Sequence, residues 1–271
     1  MQYETLPDGT QIPVLGLGTW GIGGGHVADR SQDAHFVEIL QRLIDMGYTH
    51  IDTAESYAQG HAEELVGVAI RGTPREEIFI TTKVAKEHLG YDDVHRAIDG
   101  SLRRLGVDYV DLYLIHWPNP AIPLPETFRA LNELTADGRV KRVGVSNFDV
   151  PLMQEAMALS DTPIATNQVR YNLLSRENVA NGVLAFCQEQ GIVLTAYSPL
   201  KSDVLTHPTV VEIARAHGAT PAQVALKWLI DQPRVITIPK SSDLEHAREN
   251  MDALRLELTA EETERLNNLQ A

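Results

Sequence analysis

The chain has 271 residues, 43% hydrophobic and 22% charged, with a formal net charge of −14. That size and balance fit a globular protein with a large core, and the acidity argues against nucleic acid or an anionic membrane as the main partner. The single cysteine, Cys187, excludes an intrachain disulfide framework and a cysteine-rich zinc site, and its apolar neighbours mark it as a small buried side chain.

No apolar run approaches ~20 residues. The first ten residues lack both the basic and the apolar region of a signal peptide, so the expected location is the cytoplasm. Residues 2–6 and 10–13 flank the turn signal Pro7-Asp8-Gly9 and read as a β-hairpin. Eight short apolar, β-branched runs follow, at 14–18, 49–52, 78–83, 109–115, 140–145, 164–168, 193–197 and 235–238. Between them lie stretches of helical period at 31–46, 61–71, 91–105, 125–136, 150–159, 177–190 and 220–230. In the third of these, Val94, Ala97, Ile98, Ser101, Leu102 and Leu105 form one stripe behind Asp92 and Asp93, which suit the positive end of a helix. Gly47, Gly72, Gly106, Gly138 and Gly191 fall where helices should stop. Eight strands in fully apolar runs, alternating with helices, predict a parallel sheet covered by helices. The chain length favours a closed (β/α)₈ TIM barrel of the α/β class, with the hairpin closing its bottom. No linker or composition shift divides 1–271, so one domain is expected.

Gly16-Leu-Gly18-Thr-Trp-Gly21 matches the G-x-G-x-x-G dinucleotide fingerprint, but no helix opens directly after it and the next strand ends only at Asp52. It reads instead as a loop at the barrel mouth.

Three early strands end in titratable residues: Asp52, with Tyr57 five residues on, then Lys83, then His116. The carboxyl ends of barrel strands are where such enzymes build their sites. A phenol ordinarily titrates near ~10. An ammonium beside it favours phenolate and lowers that value, and a carboxylate can hold the ammonium in place. Lys83 and Asp52 offer these roles to Tyr57, and His116 can orient and polarise the same substrate oxygen. Each residue alone has an ordinary structural explanation; four at consecutive strand ends point to proton transfer to a carbonyl oxygen. The later strands end in amides and hydroxyls, Ser146, Asn147, Gln168 and Ser198, suited to holding a carboxamide, with Tyr197 as a stacking ring. Asn147 is equally placed to cap the next helix. Lys240 precedes a helix opened by Ser242-x-x-Glu245, a capping-box pattern beside which a phosphate would sit. No H-x-H, H-E-x-x-H or carboxylate cluster has metal-ligand spacing, so no metal is expected, and there is no G-x-S-x-G or Walker motif.

These segments resemble the aldo-keto reductase superfamily along the whole chain. The motifs are Leu15-Gly-Leu-Gly-Thr-Trp20, Ile51-Asp-Thr-Ala-Glu-Ser-Tyr57, Thr82-Lys83, Asp108-Tyr-Val-Asp-Leu-Tyr-Leu-Ile-His-Trp-Pro118, Gly144-Val-Ser-Asn-Phe148, Asn167-Gln168, Ala196-Tyr-Ser-Pro-Leu200 and Ile238-Pro-Lys-Ser241. The resemblance implies a catalytic tetrad of Asp52, Tyr57, Lys83 and His116, and NADPH lying across the mouth of the barrel. By the same resemblance, Ser146, Asn147 and Gln168 hold the carboxamide and Tyr197 stacks on the nicotinamide. Thr19, Trp20 and Asp52 stand beside them, and Ser198, Pro199 and Leu200 cover the pyrophosphate. Ile238, Pro239, Lys240, Ser241, Ser242 and His246 lie toward the adenosine 2′-phosphate, and Glu249 and Asn250 toward adenine. His246 replaces the arginine usual in the family, so NADPH preference rests largely on Lys240 and NADH is admissible. The segment 117–125 and the stretch after Leu266 are short, which implies an open pocket for small or varied carbonyl compounds, lined by Trp20, Tyr57, His116 and Trp117. The implied activity is NADPH-dependent reduction of aldehydes and ketones by a monomer, as in prokaryotic methylglyoxal and diketogluconate reductases. Two rivals are a cofactor-binding sensor with the same fold and a barrel isomerase or aldolase using Lys83 as a Schiff-base amine.

Overall fold

The structure, a computed structural model, describes residues 1–269. A two-stranded hairpin, β1 (Tyr3–Thr5) and β2 (Gln11–Pro13), precedes eight strands. These are β3 (Leu17–Gly18), β4 (His50–Asp52), β5 (Phe79–Val84), β6 (Leu112–Ile115), β7 (Val143–Ser146), β8 (Thr166–Arg170), β9 (Val193–Tyr197) and β10 (Val235–Thr237). They pair in parallel in chain order from β3 to β10. The ring closes where Leu15 bridges Thr237, and where Gly16 N–H donates to Thr237 O at 2.8 Å and Gly18 N–H to Pro239 O at 3.1 Å. This is the (β/α)₈ barrel expected from the alternation of apolar runs.

Closure explains the glycines that mimic a dinucleotide fingerprint. A Cβ on Gly18 would sit 2.7 Å from the Ile238 carbonyl oxygen, and one on Gly16 would sit 2.5 Å from Nδ1 of His50. Those glycines admit the last strand and the barrel interior.

The hairpin plugs the bottom. The β1–β2 register is antiparallel, Glu4 opposite Ile12. Arg142, just before β7, donates to Asp8 and Thr10, and Arg234, just before β10, donates to Glu4 and Thr5. Leu6, Ile12 and Val14 pack on Leu112, Leu114, Ala165, Val193 and Ile236 inside the barrel. A second, larger apolar layer lies between the strands and the helices.

The helix Tyr91–Leu105 matches its expected stripe: Val94, Ala97, Ile98, Ser101 and Leu105 are buried, Leu102 is partly buried, and the helix stops at Gly106 with φ +68°. The expected helix 177–190 is broken into Glu177–Ala180 and Val183–Gln190, because Gly182 turns left-handed at φ +82°. The helices Pro208–Ala216 and Ala260–Asn267 were not expected; they carry a proline at the first turn and a Thr259/Glu262 capping box respectively. No helix among the described residues is long and apolar enough to cross a membrane.

Candidate active site

Asp52 ends β4, Lys83 lies in β5, His116 follows β6, and Tyr57 opens the turn Tyr57–Gly60 after β4. Parallel pairing puts these ends side by side at the mouth. Lys83 is wholly buried. Its ammonium donates to Asp52 Oδ1 at 2.5 Å, to the Thr53 carbonyl at 2.8 Å and to the Tyr57 oxygen at 3.2 Å. All three of its protons are thus engaged. The other Asp52 oxygen accepts from Gln168 Nε2 at 2.7 Å. An ammonium donor on one oxygen and an amide donor on the other both favour the carboxylate form, which pairs with Lys83.

The charges set the titration of the cluster. Burial opposes the charge on Lys83, but Asp52 and Tyr57 outweigh it and the ammonium pKa is raised. Burial pushes Asp52 up against the pull of Lys83 and Gln168. Tyr57 is also pushed up by burial, which outweighs the lowering by Lys83. The sequence had suggested a net lowering. The ammonium does favour phenolate, but a phenol this deep loses more solvation than one ion pair restores. Tyr57 is therefore a protonated phenol whose oxygen already accepts from Lys83, leaving its own O–H to point into the cleft.

His116 is neutral: burial, then the charge of Lys83, pushes its pKa down to about 3. Its ring meets Tyr57 edge-on at 5.6 Å, and Trp20 meets the other side of Tyr57 at 5.1 Å. Trp20 and Trp117 stand exposed at the rim. This arrangement is held against local strain: Ala58 and Gln59, which follow Tyr57, have φ of 48° and 57°, and Asn147 and Ser198 have 61° and 54°. Left-handed non-glycine residues cost roughly 1–3 kcal/mol each and persist where the surroundings over-determine them.

A cleft of about 1020 Å³ opens over the tetrad. Its walls bring together Thr19, Trp20, Asp52, Tyr57, His116, Trp117, Ser146, Asn147, Gln168, Tyr197, Ser198, Pro199, Leu200, Ile238, Pro239 and Lys240. An adjoining cleft of about 390 Å³ shares Leu200 and Lys240 and gathers Ser241, Ser242, His246, Glu249 and Asn250. Every cofactor-side residue named from the sequence lies on the wall of one of these two clefts.

Asn147 is not a helix cap. Its Nδ2 donates to the His116 carbonyl at 3.2 Å and to Ser146 Oγ at 2.9 Å, and its Oδ1 accepts from Tyr197 O–H at 3.0 Å. The cap of the helix Val150–Leu159 is Asp149. Gln168 donates an amide N–H to Asp52, while Oε1 has no hydrogen-bond partner among the described residues and is free to accept from a ligand. At the other end, Ser242 is not the cap either. Asp243 accepts from Glu245 N–H at 2.8 Å and His246 N–H at 3.0 Å, which holds its carboxyl below the usual range. A carboxylate thus occupies the first-turn amides that the sequence had offered to a phosphate, and Lys240 lines the same cleft. The sequence reading also passed over His26, Ser56, Lys86 and Glu87, which line the same large cleft.

The sequence profile of the Aldo/keto reductase family matches residues 14–271. The methylglyoxal reductase YeaE of Escherichia coli is 41% identical over 258 residues, covering 93% of this chain and 88% of its own. The glyoxal reductase of Bacillus subtilis is 37% identical over 268 residues, covering 97% and 91%. Among solved structures, a thermostable aldo-keto reductase bound to the inhibitor epalrestat superposes with a TM-score of 0.96 at 49% identity, covering 98% of this chain and 99% of that one. An aldo-keto reductase of Klebsiella pneumoniae in complex with NADPH gives 0.89 at 40% identity, covering 98% and 95%.

Proposed function

This chain belongs to the aldo/keto reductase family, and from that premise we propose that it reduces small aldehydes and ketones to alcohols with NADPH, Tyr57 giving the proton. The enzyme is an oxidoreductase by its family; the cofactor and the role of each residue are the further reading. The observation that carries it is the buried chain Gln168–Asp52–Lys83–Tyr57, which ends in a phenol lining an open cleft.

NADPH supplies a hydride for the carbonyl carbon. Ser146, Asn147 and Gln168 hold its carboxamide, Tyr197 packs on the ring, and Lys240 with Ser241 and His246 meets the adenosine phosphate. His116 donates to the carbonyl oxygen and orients it. Tyr57 passes its proton to that oxygen as negative charge develops, and Lys83, 3.2 Å away, stabilises the phenolate left behind. Asp52 keeps Lys83 charged and in place. Trp20 and Trp117 flank the entrance and suit compact or planar carbonyl compounds, in keeping with the glyoxal and methylglyoxal reductases among the relatives.

The test is oxidation of NADPH, and separately NADH, followed by absorbance with methylglyoxal as acceptor. Turnover with NADPH, weakened selectively by Lys240→Ala, supports the proposal. Tight cofactor binding without turnover on any carbonyl would replace it with a sensor role.

A further inference from the structure

Ser56 lies on the turn after β4, 60 residues from His116 in sequence, yet its hydroxyl oxygen is 3.2 Å from Nδ1 of the His116 ring. Both side chains line the large cleft. The backbone of His116 is pinned on both sides: its N–H donates to Val84 O at 3.1 Å and its carbonyl accepts from Asn147 Nδ2 at 3.2 Å. What remains free is the ring, and Ser56 is its one hydrogen-bond partner among the described residues. Nε2 has no protein partner and is the nitrogen left for a ligand in the cleft.

A neutral imidazole has one N–H and one lone pair, and the partner of one nitrogen decides what the other offers. The His116 ring is neutral beside Lys83. The geometry points to Ser56 as the positioning residue that sets the His116 tautomer: its O–H donates to Nδ1, so that Nε2 carries the proton facing the substrate. The reverse arrangement, Nδ1–H donating to Ser56, would aim the Nε2 lone pair at a carbonyl oxygen, setting two acceptors against each other. Ser56 also restrains ring rotation, holding the donor where the Tyr57 O–H must converge on the same oxygen. This inference rests on the reading that His116 donates to the substrate carbonyl.

The experiment uses the full chain labelled with ¹⁵N-histidine at neutral pH, with the His116 signals among the ten histidines identified by comparison with His116→Gln. The expected wild-type spectrum shows His116 protonated at Nε2 and bare at Nδ1. In Ser56→Ala the two ring signals move toward tautomer averaging. In the same variant kcat for methylglyoxal falls roughly 3- to 10-fold, the scale of one hydrogen bond, while the Kd for NADPH is unchanged. Ser56→Thr, which keeps the hydroxyl, restores both. A wild-type ring protonated at Nδ1, or Ser56→Ala signals that do not move, overturns the assignment. If the wild type reduced no carbonyl compound, the functional reading would fall, and the ring signals would still decide the role of Ser56.

Discussion

His50 gives the sharpest physical test of the barrel interior. It is buried in β4, with Nε2 3.1 Å from Thr81 Oγ1. Burial, then the charge of Lys83, lowers its pKa from 6.5 to about 3 against the opposing pull of the Pro13 backbone. The unfolded chain therefore takes up a proton at His50 near pH 6.5 and the native protein does not until about pH 3. Unfolding binds protons in that window, so stability holds above pH 6.5 and is lost as pH falls toward 3. At about 1.4 kcal/mol per pH unit, the loss between pH 7 and pH 5 is about 2 kcal/mol from His50 alone. His116, also lowered to about 3, contributes a second loss of the same sign. The perturbation is His50→Gln, and the assay is urea unfolding at pH 7 and pH 5. Whatever the substitution costs at pH 7, the drop between the two pH values should shrink by about 2 kcal/mol, a change in the midpoint difference of about 1 M urea. An unchanged drop would refute the claim that His50 is held neutral by its surroundings.

Two substitutions test the packing that presents the site. Lys83→Met leaves the Asp52 carboxylate buried with only Gln168 as donor, and loss of a buried ion partner costs about 3–5 kcal/mol; thermal unfolding should shift down by roughly 10 °C, and an unshifted midpoint would contradict the ion pair. Gly18→Ala places a methyl 2.7 Å from the Ile238 carbonyl at the closing seam. Overpacking of that kind costs about 1–3 kcal/mol, and because the clash is with backbone, cofactor affinity should weaken along with stability; a silent variant would show that the seam is looser than described.

The barrel was legible because the strands are short apolar runs with a polar or titratable residue at or near several carboxyl ends, as at Asp52, Lys83 and Gln168. The dinucleotide-like glycines were correctly set aside because Gly16 and Gly18 lie in the first barrel strand and its approach, with no helix opening after them. Less visible were features that depend on competition or on distance. Ser242 and Asp243 are adjacent cap candidates, and the stronger acceptor took the helix amides. Gly182 broke a periodic run that looked continuous. The helix Pro208–Ala216 follows a stretch without a glycine stop, so its proline at the first turn was easy to overlook. Ser56 has no sequence signature at all, since its partner, His116, lies 60 residues away just after β6. The direction of the Tyr57 shift was misjudged because pairing with Lys83 can be read from types and spacing, whereas the cost of burial needs the closed site.

The central claim is that Tyr57 gives the proton, and Tyr57→Phe tests it most directly. The measurement compares kcat for NADPH-dependent reduction of methylglyoxal with NADPH affinity from fluorescence titration, in the wild type and the variant. The account predicts a fall in kcat of about 10²- to 10⁴-fold, the scale of a lost general acid, with affinity unchanged. Turnover near the wild-type rate would contradict it and leave the buried Asp52–Lys83 pair as scaffolding alone.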